Sequence, residues 1–226
     1  MLRALQHGVM SGLWIQALVV NTVLIALAQR TPLLTRRGWV HAAALGTILW
    51  GCLGWSGWLA VVAYLSLGTL VTKIGFQNKQ IRGLAEARGG QRGPENVWGS
   101  AAVGAFLALL IGAGVEPRAL LMVGFAASFA AKLADTFGSE IGKRFGRSTV
   151  LITSLRPVPP GTEGAISLEG TLASAVGSIV MTLVMLALQL LPSWLHQAPP
   201  QPQTSSPPSQ PQTLCAALRA RPRTRL

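Results

Sequence analysis

"SFAAKLADTFGSEIGKRFG", residues 128–146, follows directly on an apolar run and contains Asp135, the only aspartate among 226 residues. Between positions 128 and 143 it collects Ser128, Lys132, Asp135, Thr136, Ser139, Glu140 and Lys143. Read as one continuous helix, Ser128, Lys132, Asp135, Ser139 and Lys143 are spaced 4, 3, 4 and 4 apart. At about 100° per residue that spacing gathers them into one narrow stripe. Thr136 flanks the stripe, Glu140 lies further round, and Leu133, Phe137 and Ile141 cover other faces. A polar helix face is ordinarily just solvated. This one begins inside an apolar span, where ionisable side chains are costly and usually functional. The stretch therefore reads as a helix that leaves a membrane carrying a site.

The rest of the composition agrees. Half of the chain is hydrophobic, only 12% is charged, and the mean hydropathy is +0.45, which excludes an ordinary soluble domain. The 25 glycines suit close packing between membrane helices. Two cysteines, Cys52 and Cys215, make neither a disulfide framework nor a metal site. A net charge of +12 would suggest nucleic acid in a soluble protein. Here the basic residues sit between apolar segments and lack interleaved aromatics, so no nucleic-acid partner is expected.

A helix needs about 20 apolar residues to cross the hydrocarbon core. Residues 9–28, "VMSGLWIQALVVNTVLIALA", are the first candidate. Their end resembles a signal-peptidase site, but the run is long and carries Gln16 and Asn21, which favours an uncleaved helix. The apolar stretch 39–72 is too long for one span and is interrupted by "GCLGWSGW", 51–58. Glycines punctuate helices and tryptophans prefer the interface, so a tight helical hairpin is expected there. Residues 97–115 and 119–134 form another pair, and 170–191 a last span. The expected fold is all-α, a polytopic membrane protein with about six transmembrane helices.

Lys and Arg concentrate in segments 29–38, 73–96 and 132–169, which six crossings place on one side. That side is expected to be the cytoplasm or the stroma, with both termini opposite. The expected domain organisation is a membrane domain over 1–195, with motif loops at 72–100 and 132–169. Residues 196–226 form a Pro/Gln/Arg-rich tail expected to be disordered. Its four arginines would lie on the side opposite the basic loops.

Carboxylates beside lysines suit phosphate chemistry. Mg²⁺ takes one or two carboxylates together with phosphate oxygens, and lysines neutralise a transferred phosphoryl group. Gly138–Lys143 resembles a phosphate-binding P-loop but has one residue too few between its glycines, and Arg144 where Ser or Thr is required. "PVPPGTEGAISLEGT", 157–171, sets Gly161 and Gly164 around Thr162 and Glu163, with Ser167 and Glu169 at the mouth of the last span. Glycines let backbone amides approach an anion, although Pro-Gly-Thr is also an ordinary turn. Segment 72–100 adds Lys73, Lys79, Arg82, Arg88, Arg92 and Asn96. A basic interfacial loop is usually a topology feature or a lipid contact. Three such loops on one face favour a composite site.

Together "TKIGFQNKQIRGLAEARGGQRGPENV" (72–97), "KLADTFGSEIGKRFG" (132–146) and "PVPPGTEGAISLEGT" resemble the integral-membrane phytyl-phosphate kinase family of plants and cyanobacteria, to which the animal transmembrane protein 19 is related. The resemblance runs from about residue 30 to 190. It implies phosphoryl transfer from a nucleoside triphosphate, CTP or another, to phytyl phosphate. The diphosphate product would feed tocopherol and phylloquinone synthesis in a cyanobacterial or chloroplast membrane. The family continues past the last span with more membrane helix, whereas this chain enters its tail, which reads as an altered end.

On that reading Asp135 and Glu140 hold Mg²⁺ on the nucleotide, with Glu163 and Glu169 as further ligands. Lys132 and Lys143 neutralise the transferred group, and Lys73, Lys79 and Arg82 hold the acceptor phosphate. Asn96, Ser139, Gly161, Thr162 and Gly164 contact substrate or nucleotide. The rivals are CTP-dependent nucleotidyl transfer to a prenyl or lipid phosphate, and a transporter in which Lys132 and Asp135 line the path.

Overall fold

The computed structural model describes residues 2–191, with side chains from residue 12 onward. The tail beyond 195, with Cys215 and its arginines, lies outside the described residues. Helix α1 covers Leu2–Ala28, α2 Arg36–Lys73, and the short α3 Phe76–Ile81. A 3₁₀ turn at Ala87–Gly90 precedes α4, Pro94–Gly112, and α5, Arg118–Phe145. Two-residue strands, β1 Val150–Leu151 and β2 Ala165–Ile166, pair antiparallel before α6, Leu168–Ala187. That small ribbon was not foreseen, but the architecture is all-α.

Helix α2 is a hairpin. Gly54 breaks it at φ 68°, ψ −167°, a conformation that only glycine adopts readily. The ring centroids of Trp50 and Trp58 are 5.7 Å apart across the break. A Cβ on Gly38 would lie 2.6 Å from the carbonyl oxygen of Arg92, and one on Gly68 would lie 2.6 Å from Nη2 of the same arginine. In a straight helix positions 38 and 68 would stand about 45 Å apart. The two arms, 36–53 and 55–73, therefore run in opposite directions, as the tryptophan–glycine punctuation led one to expect.

Helices α2, α4, α5 and α6 are each long and apolar enough to cross a membrane, and α1 adds the shorter apolar stretch Gly12–Ala28. With α2 folded on itself, six apolar segments result. Side chains such as Ile15, Val103, Leu120 and Leu183 face outward, as a lipid-bathed surface requires. The core between helices holds Leu49, Tyr64, Phe125, Phe129, Leu133 and Met181. Asn21 is buried at 2% exposure, yet its amide is satisfied. It donates to Ala43 O (2.6 Å) and Thr47 Oγ1 (3.2 Å) and accepts from Trp58 Nε1 (3.0 Å). This bonding attaches α1 to both arms of the hairpin and offsets the cost of a buried amide.

Helices α5 and α6 approach closely through glycines. A Cβ on Gly170 would lie 2.8 Å from Gly138 O and 3.3 Å from Gly142 Cα, and one on Gly177 3.0 Å from Leu133 O. Such contacts let backbones pack where no hydrophobic force separates protein from lipid.

The three basic connections meet at one end of the bundle. Thr35 N donates to Arg92 O (3.1 Å) and Arg92 N to Leu33 O (3.0 Å), joining the first connection to the second. Arg82 Nη1 donates to Lys143 O (3.3 Å), joining the second to the end of α5. Cysteines placed at Arg36, Arg88 and Arg147 should therefore react with an impermeant maleimide from the same side of sealed vesicles, and labelling from opposite sides would break this arrangement. Gly170→Val should lower detergent stability by about 1–3 kcal/mol through overpacking. Gly99→Val, whose Cβ meets nothing within 4 Å, should leave the melting temperature nearly unchanged.

Candidate functional site

Because α5 runs unbroken from Arg118 to Phe145, the polar stripe exists as the spacing predicts. Its hydroxyls are spent locally: Ser128 Oγ donates to Phe125 O (2.7 Å), Thr136 Oγ1 to Lys132 O (3.0 Å) and Ser139 Oγ to Thr136 O (3.2 Å). Such bonds to the preceding turn satisfy a hydroxyl without a partner helix. Lys132 Nζ approaches Asp135 Oδ2 at 3.3 Å, yet the aspartate side chain is 70% exposed. Its charge is available to a ligand.

Glu140 and Lys79 have a different place from the one expected. Glycine 75, at φ 62°, turns the chain so that α3 folds back against α5. Lys79 is then 1% exposed and pairs with Glu140 Oε2, itself 3% exposed. The lysine also donates to Thr72 O (2.7 Å). Lys143 Nζ takes the other oxygen, Glu140 Oε1, at 3.3 Å, and reaches Glu86 Oε1 at 3.5 Å. With both oxygens taken by lysines, Glu140 is not a free metal ligand. With its ammonium enclosed, Lys79 does not face an acceptor phosphate. Together they clamp the second connection onto α5.

Two cavities flank the stripe. The larger, about 440 Å³, lies between α5, α6 and the 149–166 ribbon. It brings together Asp135, Ser139 and Lys143 from α5 with Gly161, Thr162, Glu163 and Gly164 from the loop, as the sequence led one to expect. Gly161 and Gly164 stand at φ 89° and 74°, the left-handed region that gives the loop its tight path. Thr162 Oγ1 donates to Pro159 O (2.7 Å), which fixes the turn. Thr171 and Ser174 of α6 complete the wall. The smaller cavity, about 180 Å³, lies between α2, α4, α5 and the second connection. Asn96, Lys132, Thr136, Asp135 and Ser139 line it, with Tyr64, Thr72, Arg92 and Ser100. Asp135 and Ser139 belong to both walls.

Lys73 and Arg82 are exposed, and neither they nor Glu169, in the first turn of α6, line either cavity. Among the described residues no three acidic, His or Cys side chains gather as a metal cage. Asp135 shares the larger cavity with Glu163 and the smaller one with Glu86 and Glu140, of which Glu140 is already held by two lysines. Sequence reasoning counted Arg92 among the basic residues of the 72–100 segment without giving it a role in the site, and passed over Tyr64. A lone tyrosine inside an apolar arm, and an arginine framed by glycine and proline in "GGQRGP", were the available signs.

The family profile described as "Integral membrane protein DUF92" matches residues 19–217. An uncharacterized membrane protein of Synechocystis sp. is 51% identical over 174 residues, which are 76% of this chain and 67% of that protein. "Protein VTE6, chloroplastic" of Arabidopsis thaliana is 41% identical over 181 residues, 77% of this chain but only 54% of that protein. A membrane protein of Methanocaldococcus jannaschii is 28% identical over 167 residues, 74% of this chain and 68% of that one. No solved structure matches. If the buried pair is a clamp, Glu140→Gln should destabilise the protein by about 3–5 kcal/mol because it strands the Lys79 charge, and Lys79→Met by somewhat less because Lys143 still faces Glu140. The double variant Lys79→Met/Glu140→Leu should lose less than either, a difference that detergent denaturation curves would resolve.

Proposed function

The chain belongs to the integral-membrane family DUF92, and from that premise we propose that it transfers a phosphoryl group from a nucleoside triphosphate to phytyl phosphate, giving phytyl diphosphate. The observation that carries the proposal is the shared wall. Two cavities lined by charged and hydroxyl side chains meet at Asp135 and Ser139, and a two-substrate phosphotransfer needs two anion sites that meet at one point. The resemblance of the three motif segments to phytyl-phosphate kinases supplies the substrates.

The residues present fit a divalent cation. Asp135 and Glu163 line the larger cavity against one lysine, Lys143, so a bare triphosphate would be repelled there. A hard cation held by one or two carboxylates and phosphate oxygens suits that donor set. When bound, Mg²⁺ would neutralise charge on the phosphate oxygens. Lys143 would neutralise the group in transfer, and the Gly161–Gly164 turn would let backbone amides approach the polyphosphate. Lys132, which lines the smaller cavity beside Asp135, would face the acceptor phosphate. An oxygen of the acceptor phosphate attacks the terminal phosphorus of the triphosphate, the bond to the bridging oxygen breaks, and a nucleoside diphosphate leaves. A phosphate monoester is largely dianionic near neutral pH, so no strong base is needed.

The test is to incubate membranes containing the chain with phytyl phosphate and each labelled triphosphate, then identify the lipid product. The expected product is the diphosphate. A nucleotide-linked lipid would indicate nucleotidyl transfer, and no turnover with any triphosphate would overturn the proposal. Asp135→Asn keeps the shape and removes the charge, so turnover should fall by roughly 10²–10³ with membrane insertion intact. Near-normal activity would move the metal-binding role elsewhere.

A further inference from the structure

Arg92 enters the smaller cavity without a carboxylate partner: among the described residues it forms no ion pair. Its backbone is clamped on both sides, donating to Leu33 O and accepting from Thr35 N. Its side chain is cradled as well. The guanidinium carbon lies 5.5 Å from the centroid of the Tyr64 ring, and Nη1 donates to Tyr64 Oη at 3.2 Å. Nη2 rests on Gly68, where any Cβ would stand 2.6 Å away, and Gly38 leaves equivalent room for the Arg92 carbonyl. Tyr64 is in turn fixed against Phe129, with centroids 5.7 Å apart. An arginine held this firmly near a membrane, without a counter-charge of its own, is arranged for an incoming anion.

From this arrangement, and resting on the kinase reading above, we propose that the smaller cavity binds the phosphate head of the prenyl monophosphate acceptor, with Arg92 as its anchor. Size separates it from the donor site. At about 180 Å³ it falls below the roughly 300–1,000 Å³ typical of pockets for drug-sized ligands, whereas the larger cavity, about 440 Å³, lies within that range. Every side chain lining it is polar or charged, Gly90 apart, so an isoprenoid chain finds no apolar wall and stays in lipid. Asn96 and Ser100 on α4 and Lys132 on α5 add donors around the same space, and the three carboxylates that also line it are each paired with a lysine: Glu140 with Lys79 and Lys143, Glu86 with Lys143, and Asp135 with Lys132. The acceptor phosphate would sit beside Asp135 and Ser139, where the larger cavity begins.

The test is arginine modification of the full chain in detergent. Phenylglyoxal adducts are mapped by mass spectrometry, with the exposed Arg88 as internal reference. Phytyl phosphate should slow modification of Arg92 at least about 10-fold without protecting Arg88, while phytol and nucleoside triphosphate leave both rates unchanged. Protection by phytol would mean occlusion by hydrocarbon, protection by triphosphate would give the cavity to the donor, and no protection would make Arg92 structural. Inorganic phosphate protecting equally well at the same concentration would make this a free-phosphate site. Each of these results overturns the proposal. In binding measurements Arg92→Gln should raise Kd for phytyl phosphate about 10- to 100-fold and leave the triphosphate Kd unchanged. Arg92→Lys, which keeps charge but loses the planar fork, should fall between. Diphosphate formation with an unchanged KM for phytyl phosphate in Arg92→Gln sinks the anchor and leaves the kinase. Arg92 protection by phytyl phosphate without turnover sinks the kinase and leaves the anchor.

Discussion

Lys79 and Glu140 are 61 residues apart in sequence, and their ion pair is almost wholly enclosed by protein. Taking an ammonium and a carboxylate out of water costs several kcal/mol per ion, and their mutual attraction roughly offsets that cost. Such a pair adds little stability over apolar side chains of the same volume. It does exclude arrangements that separate the two charges, because each then remains buried alone. What it selects here is the approach of α3 to α5. The connection that begins with α3 goes on to Gln91, Arg92 and Asn96, all on the smaller cavity. Lys143 and Glu86 extend the clamp outward to the surface, where their contact is worth far less.

The sequence made legible whatever depends on local periodicity. The stripe on α5 needed only an unbroken helix, and the segment from Ala119 to Phe145 contains no proline to interrupt it. The hairpin was legible because 34 apolar residues exceed one span and a run of glycines and tryptophans marks the bend. The loop glycines were legible as a turn, and the turn brought Thr162 and Glu163 to the stripe. What stayed hidden depends on pairing across long separations. Glu140 lies off the stripe by its helical angle, a hint that it faces protein, but only the path of α3 shows that Lys79 meets it. Arg92 was hidden for the same reason. Its cradle is made by Gly68 and Tyr64 on the second arm of α2, and their nearness to the loop follows from the reversal at Gly54.

Glycine does two kinds of work in this bundle. Gly54, Gly161 and Gly164 supply backbone angles at positive φ, and the chain reverses or turns tightly there. Gly68, Gly138 and Gly170 have ordinary helical angles and supply space instead. Space at 138 and 170 brings α5 against α6 and sets the floor of the larger cavity, while space at 68 admits the guanidinium of Arg92. The two cavities are thus shaped largely by missing side chains.

Charge is distributed with similar economy. The chain holds 19 basic residues and 7 acidic ones. Glu140 holds Lys79 and Lys143, Glu86 reaches Lys143, and Glu95 pairs with Arg88, so three acids tie basic loops together. Glu116 accepts from the backbone of Arg118 at the opposite end of α5. Asp135 and Glu163 differ from these in opening into the larger cavity. A surplus of positive charge at this end draws anions generally and distinguishes poorly between them. Two carboxylates set within it lower that surplus locally, which on the proposed function would favour a polyphosphate that arrives with its cation over one that arrives bare. Across the Asp135–Ser139 wall, Glu140 is held by Lys79 and Lys143, Glu86 reaches Lys143 and Asp135 pairs with Lys132, which leaves Arg92 as the cation of the smaller cavity with no ion pair among the described residues. On the proposed function, the one ridge of α5 that lines both cavities would separate two kinds of anion.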